Sequence, residues 1–295
     1  MRATVLQMSC GRAARFVLLV ALAALLVSCT FTKFAYNQAD TVTAWFLDGY
    51  FDLDPQQKAE FQKRFERFHA WHRYEQLPEY ARFMRTAKTR MQDGVSQEDV
   101  LWFREGLRAR YRAAARQAAP DAAGLLATIT PAQIENLQRK WEKDNRKYVR
   151  ERKVNGTPDE RAEAEGKRIV KHLKEWLAPL TDEQEARVMA LARELPRLEQ
   201  QHYAERLRRQ KEFVEVLTHR NEDLQRFTAR VTDWMVNWER GRSPEFQRQI
   251  DQAWHKRADL FVAVDRMLTP EQRTVSLQRL DTYAADFTQL ASARR

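Results

Sequence analysis

Glycine is scarce in this chain, 8 of 295 residues, or about 2.7% against a usual value near 7%. Scarcity on that scale argues against glycine-rich phosphate loops and against β-barrels built on tight hairpins. Cysteine is rarer, with two residues, too few for a disulfide framework. No run alternates between apolar and polar residues with the period of two that marks strands. The longest apolar stretch, Phe16–Val27, has twelve residues, short of the roughly 20 that a helix needs to cross a hydrocarbon core of about 30 Å. Charge is what the chain has in quantity. With 31% of residues charged and 43% hydrophobic, it is neither disordered nor a multi-span membrane protein.

The first 28 residues combine a basic head (Arg2, Arg12, Arg15 and no acid) with that apolar run, the layout of a secretory signal peptide. The run ends in Leu26-Val27-Ser28-Cys29, which resembles the lipobox of bacterial lipoproteins. The resemblance implies a diacylglycerol on the Cys29 thiol, cleavage before Cys29 and acylation of the new amino group. An ordinary cleaved signal with an incidental Cys is the alternative. Cleavage there discards Cys10 and three Arg, so the net charge falls from +10 to +7 and no internal disulfide can form. Thr30 stands where the sorting rule for such lipoproteins reads Asp as a retention signal, which implies the outer membrane. The expected organisation is a signal peptide over 1–28, a lipidated Cys29 with a short tether over 29–34, and an all-helical periplasmic domain over 35–295. A weak internal boundary is marked near 154–157, without linker composition to support two independent domains. Several acyl chains, at ~0.8 kcal/mol per buried CH₂, make a permanent anchor. No Gly/Ser linker follows, so the body should sit against the membrane.

One helix-start pattern recurs along the remainder. Leu53-Asp54-Pro55-Gln56-Gln57, Ile129-Thr130-Pro131-Ala132-Gln133, Leu180-Thr181-Asp182-Glu183-Gln184 and Leu268-Thr269-Pro270-Glu271-Gln272 each place an apolar residue, a cap and, three residues later, Gln. Weaker copies begin at Ser96, Thr157 and Ser243. The cap side chain accepts from an orphan N–H, and the third residue reaches back to the cap's own N–H. Proline at the first position gives up a donor that had no partner. Between the starts, apolar residues recur at three and four, as in Phe61, Phe65, Phe68, His72 and in Leu224, Phe227, Val231, Trp234, Trp238. Pro78 and Pro196 should bend or divide their helices. The strong starts have no fixed period, so no solenoid is indicated. The reading is an all-α, irregular multi-helix bundle of about eight to ten helices.

Beyond these periodicities, particular residues carry a family likeness. Ala35-Tyr36-Asn37, the run Trp45 to Leu53, Ala70-Trp71-His72-Arg73 and Leu77-Pro78-Glu79-Tyr80 resemble the signature of an uncharacterised lipoprotein family of Gram-negative bacteria; Trp176-Leu177 and Leu180 to Gln184 fit it too. The resemblance implies localisation and a helical fold but no activity. A second likeness, to the Spy/CpxP group of periplasmic helical chaperones, rests on the two Leu-Thr-x-x-Gln copies at Leu180 and Leu268. Capping alone would also generate that motif.

Catalytic chemistry finds little footing. Ser96 and Ser243 read as caps, no Gly-x-Ser-x-Gly elbow exists, and the one retained Cys is spent on lipid. Glu66-x-x-His69 and Glu199-x-x-His202 have the spacing of di-iron helical bundles, which need two further Glu. Neither pair places both ligands on its helix's apolar stripe, so no metal is expected, and His72, which is on the stripe, reads as a hydrogen-bonded core histidine. No carboxylate pair stands out for glycoside cleavage. No cofactor is implied, and no enzyme. The tryptophans read as core, except that Trp45, Phe46, Tyr50 and Phe51 lie near the anchor, where aromatic rings favour a membrane interface.

The strongest functional pointer is basic. Arg139, Lys143, Arg146, Arg150 and Lys153 span about 80° of one helical face, while Leu137, Trp141 and Tyr148 cluster about 180° away. A merely solvated face would show the same pattern. In an envelope lipoprotein the fitting partners are anionic lipid headgroups, lipopolysaccharide phosphates, peptidoglycan carboxylates or an acidic protein, not nucleic acid. The expected function is a lipid-anchored, periplasm-facing helical binding or scaffold protein. A chaperone-like stress protein and a helical cell-wall enzyme are the alternatives.

Overall fold

The structure, a computed structural model, describes residues 32–293. The signal segment and Cys29 lie outside the described residues. Residues 32–37 are helical, and eleven α-helices follow: α1 (Ala39–Phe51), α2 (Pro55–Trp71), α3 (Leu77–Met91), α4 (Gln97–Leu126), α5 (Pro131–Glu151), α6 (Pro158–Trp176), α7 (Asp182–Arg193), α8 (Glu199–Thr218), α9 (Leu224–Val236), α10 (Pro244–Arg266) and α11 (Pro270–Ser292). No strand occurs among the described residues. The all-α reading holds.

All seven start signals are N-caps. Asp54, Ser96, Thr130, Thr157, Thr181, Ser243 and Thr269 each accept a hydrogen bond from the N–H three residues on. Six of them close the reciprocal box; Ser243 caps alone. At Pro78 the helical path is not broken but changes its hydrogen-bond register. A π-turn over His72–Gln76 precedes α3, and the Leu77 N–H reaches back five residues to the His72 carbonyl. Such a turn makes room where the proline ring would otherwise meet a carbonyl of the preceding turn. Pro196 falls in the break between α7 and α8.

The 30-residue α4, about 45 Å long at 1.5 Å per residue, packs against α9, α10 and α2; α3 runs along α11, and α6 along α7. Two main cores result. One joins α6, α7 and α10 through Ile169, Leu173, Val188, Ala192, Leu260 and Val264. The other joins α1, α4, α5, α8 and α9 through Phe51, Ala123, Leu137, Phe213, Leu217 and Phe227. A smaller one seats Leu198 on Phe246 and Ile250.

Each main core is closed by a pair of start signals. Gln57 Nε2 donates to Gln133 Oε1 at 3.1 Å and to the Thr128 carbonyl at 3.0 Å, while Gln133 Nε2 donates to Gln57 Oε1 and, at 3.0 Å, to the Asp52 carbonyl. Gln184 and Gln272 repeat the arrangement with the Met267 and Pro179 carbonyls, both at 2.8 Å. In every case the accepting carbonyl lies two residues before the partner helix's cap. All four glutamines are buried.

The N-terminal stretch is riveted to the far end of the chain. Buried Arg73, from the π-turn, donates to Asn37 Oδ1 at 2.8 Å and to the Leu290 carbonyl at 3.3 Å, with its guanidinium 5.2 Å from the Tyr36 ring centre. Lys33 lies 3.4 Å from the buried Asp286 of α11.

Candidate functional site

The amphipathic phase of α5 places the basic residues outward. Arg139, Lys143, Arg146, Arg150 and Lys153 are all exposed, whereas Leu137 is buried and Trp141 and Tyr148 are half-buried. Arg139 has a distant carboxylate, Glu135, at 3.9 Å. Among the described residues no carboxylate lies within 4 Å of the other four. The stripe is shorter than its spacing suggests. α5 ends at Glu151, and Lys153 has left-handed backbone (φ 51°) beyond it. It extends the charge past the helix end but not along the helix.

α1 packs on α5 beside this ridge. The Tyr50 hydroxyl donates to Asp144 at 2.6 Å, Asn136 Nδ2 donates to the Tyr50 carbonyl, and Lys140 Nζ sits 5.6 Å from the Tyr50 ring centre. Burial, then the bond to Asp144, pushes the Tyr50 pKa up to about 12. The four aromatics expected at an interface divide into two pairs. Phe51 is buried in the core and Tyr50 faces α5, but Trp45 is 77% and Phe46 55% exposed. Val42 at 59% and Phe34 at 62% join them. The Phe46 ring lies tilted against Tyr50 at 4.8 Å, and Lys140 flanks Tyr50 on the α5 side. Val42, Trp45 and Phe46 are three and four residues apart on α1 and so share one exposed side of that helix.

The two Glu-x-x-His pairs do not build a metal centre. Glu66 is exposed and His69 buried, the latter stacked on Phe65 at 5.6 Å with the tilted Tyr36 ring 4.5 Å away. Helical phase alone puts His69 off the stripe; it is inside because the stretch before α1 covers that side of α2. His72 is half-buried with the Tyr36 hydroxyl 3.0 Å from Nδ1, as a hydrogen-bonded core histidine should be. Among the described residues no three His, Cys, Asp or Glu side chains gather as a metal site.

Glu199 and His202 do enter a cleft of ≈ 490 Å³ between α5, α6, α8 and α10, with Tyr148, Glu165, Trp254 and Arg257. Its chemistry is ionic. Buried Glu165 is gripped by Arg168 and by Arg257 at 2.6 Å. Burial pushes its pKa up, but these guanidiniums outweigh that and hold it below the usual carboxylate range. Glu205, likewise opposed by burial, is held low by Arg208 and Arg242. A general acid needs the opposite shift; both carboxylates stay ionised as partners of these guanidiniums.

A feature that sequence reading missed lies on the inner side of α1. An apolar groove of ≈ 350 Å³ opens between α1, α2, α4, α8 and α9, lined by Leu47, Phe61, Leu125, Phe213, Trp234 and Met235 among others. No described helix is long and apolar enough to cross a membrane.

Neither the curated proteins nor the solved structures contain a match to the chain. A family model, described as a family of unknown function (DUF6279), matches residues 49–247. That span runs from the end of α1 through the ridge and the cleft into α10, and covers more than half of the sequence. The chain therefore belongs to family DUF6279.

Proposed function

We propose that this protein is a lipid-anchored, periplasm-facing helical binding protein of the outer membrane. Cys29 carries the anchor, and the body lies against an anionic surface through the α5 ridge and the outer face of α1. No catalytic step is assigned to it. The observation that carries the reading is that exposed Trp45 and Phe46 stand on α1, which packs through Tyr50 on Lys140 and Asp144 of α5, the helix whose outward cations have no carboxylate at close range. Exposed aromatics favour the headgroup region, and each cation near an anionic surface contributes ~1 kcal/mol. The chaperone-like reading is weaker, because the glutamine pairing accounts for both Leu-Thr-x-x-Gln copies.

Co-sedimentation of the non-lipidated protein with vesicles tests this. Binding is expected to phosphatidylglycerol vesicles and not to phosphatidylcholine vesicles, and to weaken between 0.05 and ~0.15 M salt as screening shortens to about 8 Å. Equal binding to both vesicle types would overturn it.

A further inference from the structure

The geometry points to the groove beneath α1 as a binding site for a fatty acid, with the alkyl chain inside and the carboxylate at the mouth. The site is independent of whether the ridge docks on a membrane.

Its walls are aliphatic and aromatic throughout, with Thr43, Arg64 and Asp121 as the polar exceptions. Water against such walls finds few polar partners, so an apolar ligand that displaces it loses little hydrogen bonding. The volume of ≈ 350 Å³ falls within the roughly 300–1,000 Å³ of small-molecule sites. An alkyl chain meets walls of this composition without leaving a polar group unpaired.

The mouth sets the sign of the head. Arg64 and Asp121 line the groove; beyond them Arg67 also pairs with Asp121, and Lys63 and Arg64 with Glu60, so three cations share two carboxylates beside it. Arg64 is held beside the groove by the absence of a side chain opposite: a Cβ on Gly124 would stand 2.3 Å from its Nη1. The surplus positive charge suits a carboxylate. α1 carries the inner wall (Thr43, Leu47, Phe51) on one face and exposed Val42 and Trp45 on another, so the groove is one helix away from the apolar outer surface.

Photolabelling decides the matter. The full chain is irradiated with a diazirine-bearing fatty acid, and adducts are mapped by mass spectrometry. Adducts are expected on the groove walls of α2, α4 and α9, suppressed by excess laurate and at least tenfold less by dodecyltrimethylammonium. Ala122→Phe, which fills the groove from α4, should cut labelling at least tenfold with helicity unchanged. Should Ala122→Phe lose helicity, Ala118→Leu fills the same wall with a smaller side chain and takes its place in the comparison. Adducts confined to the Trp45 face, equal labelling of a folded filled variant, or equal competition by the cationic amphiphile would overturn the proposal. So would labelling that appears only in Cys29→Ala protein, since the groove would then belong to the chain's own acyl groups.

Discussion

Gln184 and Gln272 hydrogen-bond each other in both directions, at 2.8 and 2.9 Å, from helix starts 88 residues apart. Each Oε1 also accepts its own cap residue's N–H at 3.0 Å, and each Nε2 also reaches a carbonyl before the partner's cap. A primary amide has two donor hydrogens and two acceptor lone pairs, and here all are used. Gln57 and Gln133 do the same 76 residues apart.

That completeness separates capping from clasping. Glu at the third position serves a capping box as well as Gln does, but it cannot donate across the pair. Gln184→Glu should therefore destabilise the protein by about 2–4 kcal/mol, through a buried charge facing the Gln272 carbonyl oxygen and an orphaned Met267 carbonyl. Urea midpoints measure it. The reverse change in an exposed box, Glu160→Gln, should stay within ~0.5 kcal/mol. Similar small effects at both sites would reduce the clasp to ordinary capping.

A second prediction concerns acid. Burial, and secondarily His69, pull the His72 pKa from 6.5 to about 4. The folded ring is thus neutral where the unfolded one takes a proton. Its contribution is complete above pH 6.5 and is lost as pH falls toward 4. The shift corresponds to at most about 3 kcal/mol, and nearer 2 with partial exposure of the ring. Glu165, held low by its guanidiniums, adds a further loss below the usual carboxylate range. Stability should fall between pH 6.5 and 4.5, and His72→Gln should flatten that fall; an unchanged profile would remove His72 as its source.

Gly106 is the third. It sits in the middle of α4, where Ala would normally gain about 1 kcal/mol in helix propensity. A Cβ there would stand 2.3 Å from the ring of buried Phe83, itself stacked on Phe103. Overpacking should win, and Gly106→Ala should lower stability by about 1–3 kcal/mol. A raised thermal midpoint would show that the ring can yield.

The anchor provides the fourth. Cys29→Ala should abolish incorporation of labelled palmitate and remove the protein from the outer-membrane fraction. Acylated, correctly sorted Cys29→Ala protein would refute the lipobox reading.

What could be read in the sequence was local. Caps at Asp54, Thr130, Thr181 and Thr269 act over three residues, so a short window reveals them. Their pairing requires two helix starts to meet in register, which no single window contains. The outward phase of Arg139, Lys143, Arg146 and Arg150 follows from one helix; Lys153 departs because that helix stops at Glu151. His69 is inside because a separate stretch around Tyr36 covers it, and the groove under α1 draws its walls from five helices. Neither has a signature along the chain.

The most direct test of the docking surface is charge reversal. Arg139, Lys143, Arg146 and Arg150 are changed together to Glu, and sedimentation with phosphatidylglycerol vesicles is compared with that of the native protein at equal helicity. Because these side chains are exposed and at most weakly paired, stability should change by no more than about 1 kcal/mol. Loss of about 1 kcal/mol of attraction per cation, followed by repulsion, should reduce bound protein to background. Undiminished binding by the folded, reversed protein would contradict docking through the ridge.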